Sequence, residues 1–126
     1  MHVGKASARE RQWYHAVLDA QTAARDALKA GVTCGAIDAA ARNVLQHKGL
    51  GRYFVHSTGH GIGLEIHEDP RIARDQKKIL ETGNVVTLEP GVYVEGVGGI
   101  RIEDDALVTS RGTEILTTTS REFLEL

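Results

Sequence analysis

The chain has 126 residues, enough for one domain with a modest core. Apolar residues make up 41% and charged residues 25%, as in ordinary soluble globular proteins, and a net charge of −2 gives no electrostatic reason to expect nucleic acid or an anionic membrane as a partner. No apolar run is long enough to span a bilayer, and the single cysteine excludes an internal disulfide, so we expect a cytoplasmic protein.

The first third of the chain predicts two helices. Ser7 and Glu10 have the spacing of a capping box, in which each side chain satisfies a backbone N–H of the other residue. Apolar residues then recur at helical steps up to Leu28, and Gly31 is placed to end the helix. Thr33 can cap a second helix, which ends near His47. The inner faces are formed by Trp13, Val17, Ala20 and Ala24 in the first helix and by Ile37, Ala40 or Ala41, Val44 and Leu45 in the second.

The remainder of the chain predicts strands separated by glycines. Leu64 and Ile66 alternate with polar residues, which is typical of a half-buried strand. Further strands are predicted at residues 84–88, 92–94, 100–109 and 114–119, and residues 71–78 are predicted to be a solvated loop. The fold class is therefore α+β, with two N-terminal helices packed on a largely antiparallel sheet.

His60 lies between Gly59 and Gly61, with Gly63 just beyond. Glycines on both sides disfavour a helix, so His56 and His60 are not a zinc-binding pair on a helical face. The glycine run leads into a strand instead of a helix, which argues against a phosphate loop. Taken alone, His60 is more often a structural histidine than a ligand, although the glycines would let a ligand or another backbone approach closely.

Two carboxylates stand among apolar neighbours. Glu89 ends a predicted strand before Pro90, and Glu103 follows Ile102. A carboxylate in such a setting needs a cation, because burying an unpaired charge is costly. That cation can be Arg101, paired with either glutamate, or a metal ion. Carboxylates with one imidazole suit Mn²⁺, Co²⁺, Zn²⁺ or Fe²⁺, and the residues do not choose among these ions.

The combination of segments is more specific than its parts. Residues 59–68 contain Gly-His-Gly-Ile-Gly followed by His67-Glu68, residues 88–91 read Leu-Glu-Pro-Gly, and residues 99–104 read Gly-Ile-Arg-Ile-Glu-Asp. In order and spacing they resemble the Xaa-Pro aminopeptidases and Xaa-Pro dipeptidases, metallopeptidases of family M24 with the pita-bread fold. The likeness runs from about His2 to the end of the chain. Arg101 favours this proline-specific branch over the methionine aminopeptidases.

The resemblance implies a hydrolase with two divalent metal ions and a proline-containing peptide as substrate. His60, Glu89 and Glu103 are the implied metal ligands. Glu103 is also the implied acceptor of a proton from water. His67 and His56 are implied to bind the substrate and to assist proton transfer, and Arg101 is implied to contact the substrate.

The family's metal site also uses two aspartates that precede the first helix of this segment, and no residue of this chain matches them. Asp19, Asp26 and Asp38 fall on the predicted helices. We therefore expect residues 1–126 to be a single partial domain, the C-terminal half of a pita-bread catalytic domain, with a curved sheet and weak activity alone. We also expect a homodimer, or pairing with an N-terminal half. The alternatives are a non-enzymatic binding module and a creatinase-type C–N hydrolase.

Overall fold

The computed structural model of the chain describes residue 2 and residues 4–126. Helix α1 spans Ala8–Ala27 and helix α2 spans Cys34–His47. Ser7 accepts a hydrogen bond from the Glu10 backbone N–H, and the Glu10 carboxylate accepts one from the Ser7 backbone N–H. Thr33 caps α2 through the Ala36 N–H. Both predicted helices and both predicted caps are confirmed.

Seven strands follow the helices. Five of them form one antiparallel sheet in the order β2-β1-β3-β6-β7, and β4 and β5 form a separate antiparallel pair. Their bounds are β1 Gly59–Gly61, β2 Glu68–Ile72, β3 Val85–Leu88, β4 Gly91–Val94, β5 Gly98–Arg101, β6 Asp104–Thr109 and β7 Gly112–Ile115. A 3₁₀ turn at Gly51–Tyr53 precedes β1.

The predicted strand around Leu64 and Ile66 is wrong. Residues 62–67 connect β1 to β2, and both apolar side chains are exposed. Short-range hydrogen bonds fold this connection, since the Gly63 N–H donates to the Glu65 carbonyl and the Glu65 N–H donates to the Glu68 carboxylate. Leu64 and Ile66 therefore belong to no strand, although they alternate with polar residues.

Three other boundaries differ from the sequence prediction. The strand predicted over residues 100–109 is interrupted at 102–103 and divides into β5 and β6, because the chain passes there from the β4–β5 pair into the larger sheet. The last strand ends at Ile115, well before residue 119. Residues 71–72 belong to β2, and Ile72 is fully buried, so the predicted loop begins only after them.

The helices pack against each other and onto the strands, with α2 against β2 and α1 against β3, β4 and β5. The core lies between these layers and contains residues from both, including Val17, Ile37, Leu45, Val86 and Leu88. The predicted α+β class with a largely antiparallel sheet is confirmed. None of the described helices is long and apolar enough to span a membrane.

Candidate metal centre and substrate cleft

Glu89 and Glu103 lie opposite each other at an interruption in one long antiparallel ribbon. Leu88 pairs with Asp104 on one side of the interruption, and Gly91 pairs with Arg101 on the other. The same register continued across the gap places Glu89 opposite Glu103. Pro90 has no N–H to donate, so the ladder breaks here. The fold therefore brings two carboxylates into a cross-strand pair.

Such a pair is electrostatically unfavourable without a cation, because like charges directly opposite each other destabilise a sheet. Burial raises the pKa of the Glu103 carboxyl, and the neighbouring Glu89 carboxylate raises it further. Arg101 and His60 act in the opposite direction on that pKa. The site thus holds concentrated negative charge that its own cations offset only in part.

His60 is held beside Glu89 by backbone contacts that require glycine. A Cβ atom at Gly59 would collide with the Thr87 carbonyl, and one at Gly61 would collide with the Asp69 carbonyl. The buried Thr87 hydroxyl accepts a hydrogen bond from the His60 N–H at 3.1 Å and donates one to Glu89 Oε1 at 3.2 Å. Thr87 therefore fixes both residues relative to each other.

The ring of His60 presents its second nitrogen to Glu89. Its Nδ1 lies 2.9 Å from the Gly61 carbonyl, which can only accept, so Nδ1 carries a proton. Its Nε2 lies 3.1 Å from Glu89 Oε1. A neutral ring would point a lone pair at a carboxylate, and two acceptors at this distance repel each other. A positive charge between them, either a second ring proton or a metal ion, makes the contact favourable.

Arg101 lies between the two glutamates. Its guanidinium is 3.8 Å from Glu89 Oε2 and 3.6 Å from Glu103 Oε2, and the side chain is half exposed. Both ion pairs that the sequence left open are therefore present. Neither has the short, bidentate geometry of a strong arginine–carboxylate pair.

A cleft of about 750 Å³ opens beside these residues. His67 is exposed in it, with its ring centroid 4.3 Å from that of His60. Of the six site residues predicted from sequence, five line the cleft, and Glu103 does not. The lining residues are His56, Ser57, His60, His67, Glu68, Asp69, Arg71, Glu89 and Arg101.

His56 lies at the edge of the cleft with a defined tautomer. Its Nδ1 donates to the Ser57 carbonyl at 2.8 Å, so its Nε2 accepts the hydrogen bond from the Tyr93 hydroxyl at 3.0 Å. Tyr93 is therefore a functional candidate that the sequence prediction missed. Nothing local in the sequence signals this contact, because the two residues lie on different elements.

Arg71 was also missed, because its charged surroundings suggested a solvated loop. It lies on β2 and lines both the cleft and an adjoining cavity of about 570 Å³. Arg42 and Arg74 line that cavity too, and none of its lining residues in the described part of the chain is acidic.

The donor chemistry of the site suits a divalent cation, with one imidazole and two carboxylates in proximity. In residues 2 and 4–126, however, no three His, Cys, Asp or Glu side chains converge to hold a metal ion by themselves. His60, Glu89 and Glu103 therefore form only part of the set of donors that would hold a metal ion.

Comparison with known proteins identifies the family. Residues 1–110 match metallopeptidase family M24. The chain belongs to this family. A Xaa-Pro dipeptidase of Pyrococcus furiosus is 47% identical over 122 residues, which cover 97% of this chain and 35% of the relative.

Solved structures agree with this assignment. A Xaa-Pro dipeptidase from Bacillus anthracis has a TM-score of 0.96 at 48% identity, and an X-Pro aminopeptidase from Thermotoga maritima has a TM-score of 0.94 at 44% identity. Each covers 98% of this chain, and the chain covers 35% of each. The predicted fold, half of a pita-bread fold, is thereby confirmed, and the chain spans about a third of the length of these relatives.

Proposed function

We propose that this chain provides one side of a metallopeptidase site that hydrolyses the peptide bond before proline. Membership of family M24 supports this proposal, as do similar proteins named Xaa-Pro dipeptidase. The observation that carries it is the contact between His60 Nε2 and Glu89 Oε1 at 3.1 Å, with Nδ1 already committed to a carbonyl. The contact becomes favourable when the ring carries a second proton or when a metal ion lies between the two side chains, and we propose the metal ion.

His60, Glu89 and Glu103 are the proposed ligands, and the cation is one of two divalent ions, Mn²⁺, Co²⁺, Zn²⁺ or Fe²⁺. We propose that residues 1–126 form the C-terminal half of the catalytic domain and that the two remaining aspartate ligands come from its N-terminal half. Divalent ions held there would supply Lewis-acid activation of the scissile carbonyl and of the attacking water.

The other side chains have roles that their positions support. Burial and Glu89 raise the pKa of the Glu103 carboxyl, which makes its carboxylate a better acceptor of a proton from water. His67, exposed in the cleft beside His60, can donate a hydrogen bond or a proton to the developing oxyanion. His56, whose ring is oriented by the hydrogen bond from Tyr93, lines the cleft and can contact the substrate.

Two arginines can orient the peptide. Arg101 lines the cleft next to Glu89, where it can bind a substrate carbonyl. Arg71 lies at the junction of the cleft with the arginine-lined cavity, which suits an anionic group. We propose that Arg71 binds the terminal carboxylate of a dipeptide, which lies one residue beyond the scissile bond, and so favours dipeptidase over aminopeptidase activity.

We also propose that the chain pairs with another polypeptide, either a second copy or the N-terminal half. β2 and β7 are edge strands of the sheet, and Val55, Leu64 and Ile66 expose large apolar side chains. Sedimentation of a folded monomer at micromolar concentration would contradict the homodimer.

We also propose a cytoplasmic location, which suits the single buried thiol, Cys34.

The test is metal analysis together with a Xaa-Pro dipeptide assay, with and without an added N-terminal half that carries the two aspartates. We expect little hydrolysis by the chain alone and metal-dependent hydrolysis when the added half is present. The variant His60→Ala should abolish both metal retention and hydrolysis, whereas His47→Ala, a change at an exposed histidine on α2, should alter neither. Metal retention without hydrolysis of any Xaa-Pro peptide would contradict the peptidase and favour a binding module.

A further inference from the structure

The segment of residues 54–58, here called the His56 segment, joins the 3₁₀ turn to β1 and carries no regular secondary structure. It nevertheless bears His56 and leads directly into Gly59 and His60. Two side chains of α2, Asp38 and Arg42, hold it in place. Neither belongs to the donor set described above.

Asp38 is almost completely buried, with 1% of its surface exposed. Its Oδ1 accepts hydrogen bonds from the Thr58 backbone N–H at 3.2 Å and from the Thr58 hydroxyl at 2.8 Å. Both of its oxygens also accept from the Arg42 guanidinium, each at 2.8 Å. The carboxylate therefore has four partners, two of them in the His56 segment.

Arg42 completes the same attachment. Its Nη1 donates to the Phe54 carbonyl at 3.0 Å, and its Nη2 donates to the His56 carbonyl at 2.9 Å. The guanidinium also lies over the Phe54 ring, 4.1 Å from its centroid. Two residues of the segment are thus bound by the rigid guanidinium fork of Arg42, and Asp38 binds a third, Thr58.

Thr58 carries this attachment onward to the candidate ligands. Its carbonyl accepts the Glu89 N–H at 2.7 Å, and the next two residues of the chain are Gly59 and His60. Thr58, which Asp38 fixes, therefore lies two residues before the candidate ligand His60 and bonds to the backbone of the candidate ligand Glu89. Asp38 and Arg42 bond to each other across one turn of α2, and their other hydrogen bonds all go to the His56 segment.

We propose that Asp38 and Arg42 are positioning residues that set the relation between His60 and Glu89 through Thr58. A buried ion pair is weak evidence for stability, because the cost of desolvation offsets much of the attraction. Outer partners that orient ligands are a common feature of metal sites. The functional part of this inference rests on the proposed function, whereas its geometric part does not.

The test measures amide hydrogen exchange in the full 126-residue chain. The reporters are the N–H groups of His60 and Glu89, compared with the Val108 N–H, which bonds to the Asn84 carbonyl in another part of the fold. Asp38→Asn replaces two acceptor oxygens with one oxygen and a donor. We expect exchange at His60 and Glu89 to accelerate by roughly tenfold or more relative to Val108, as for loss of a hydrogen bond to a charged group.

A milder pair of variants keeps the test decisive if Asp38→Asn folds poorly. Thr58→Val removes the hydroxyl at nearly constant volume and should show the same local acceleration, whereas Thr58→Ser should restore protection. Leu45→Ala creates a cavity in the buried face of the same helix, so it should accelerate all three reporters alike. Equal acceleration of all reporters in Thr58→Val, or none, would overturn the positioning role.

A spectroscopic measurement separates this inference from the proposed function. The visible spectrum of Co²⁺ is recorded on the chain together with the N-terminal half that supplies the two aspartates. We expect Thr58→Val to change that spectrum and Thr58→Ser to preserve it. Absence of any Co²⁺ spectrum in the unaltered chain together with the N-terminal half would overturn the proposed function, while the exchange ratios would still decide the positioning role.

Discussion

The protein contains two arginine–carboxylate clusters, which we call closed and open. In the closed cluster the protein itself pairs the charges at short distance, and in the open cluster it does not. Asp38 and Arg42 form a bidentate pair at 2.8 Å whose remaining groups are all directed at the protein. Arg101 lies 3.6 and 3.8 Å from two glutamates that face each other across a broken ladder, and its side chain is half exposed. The first of these is the closed cluster, and the second is the open cluster.

We interpret the first cluster as structural, and we propose that the second cluster binds a cation. Charges that serve structure are paired at short distance, because an unpaired buried charge is costly. In the second cluster the acceptor nitrogen of a neutral His60 ring would face the Glu89 carboxylate. The Glu89 and Glu103 carboxylates also face each other. A second proton on His60 or a bound cation makes the His60–Glu89 contact favourable, and the facing pair of carboxylates supports our proposal of a cation.

The largest expected effect is at the closed cluster. Asp38→Ala leaves the Arg42 guanidinium buried without its carboxylate, so we expect the free energy of unfolding to fall by about 3–5 kcal/mol. Urea denaturation measures this change. Asp19→Ala is the matched control, because it removes an exposed carboxylate that pairs with Lys48, and it should cost less than about 1 kcal/mol. Equal losses in the two variants would remove the distinction between the clusters.

An intermediate effect is expected at Thr87, which connects His60 to Glu89 through a buried hydroxyl. Thr87→Val leaves the His60 N–H without its acceptor, so unfolding should become easier by about 1–3 kcal/mol. Thr87→Ser keeps the hydroxyl and should recover most of that loss. Denaturant titration of both variants checks the prediction, and identical stabilities would show that the hydroxyl does not matter.

Arg101→Ala should have a smaller effect on stability. Its pairs are long and its side chain is half exposed, so we expect a change within about 1 kcal/mol of zero. The same variant should strongly impair hydrolysis of a Xaa-Pro dipeptide by the chain joined with the N-terminal half. A stability loss as large as that of Asp38→Ala would mean that the open cluster is structural after all.

The smallest effect concerns pH. Burial and Glu89 raise the pKa of the Glu103 carboxyl, so the folded protein holds this proton more tightly than the unfolded chain does. Glu103 therefore stabilises the fold at pH below its unfolded pKa and loses that contribution as pH rises through its folded pKa. Glu103→Gln should accordingly gain stability relative to the unaltered chain as pH rises.

The gain should be a few tenths of a kcal/mol, because solvent screens this partly exposed group. Thermal unfolding across a pH series, without added metal, measures it. Adding Arg101→Ala to both proteins removes the main opposing cation, so the difference should become larger. A difference that shrinks with rising pH would contradict the assignment.

Local chemistry explains why some of the fold could be predicted from sequence. The caps at Ser7 and Thr33 act over three residues, and helical spacing of apolar residues is set by the helix itself. Leu64 and Ile66 show the limit, because alternation predicts a strand only if a partner lies beside it. Gly63 and Glu65 instead donate local hydrogen bonds within the connection between β1 and β2.

The site also contains residues that the sequence predicted and residues that it did not. His60, Glu89 and Glu103 were found because they stand in recognisable motifs, and the structure brings His60 and Glu89 into contact and places Glu103 across the ribbon from Glu89. Asp38 and Tyr93 were missed because their roles depend on partners 20 and 37 residues away along the chain. No local pattern reports such contacts.

The central claim, that His60 and Glu89 are arranged for a cation, is tested most directly by adding Mn²⁺ and observing histidine ring signals by NMR. Paramagnetic broadening detects even weak binding, so the chain alone suffices. We predict that the ring signals of His60 broaden first, that those of the exposed His15 and His47 do not, and that Glu89→Gln abolishes the difference. Uniform broadening of all three rings, or the same selective pattern in Glu89→Gln, would contradict the account.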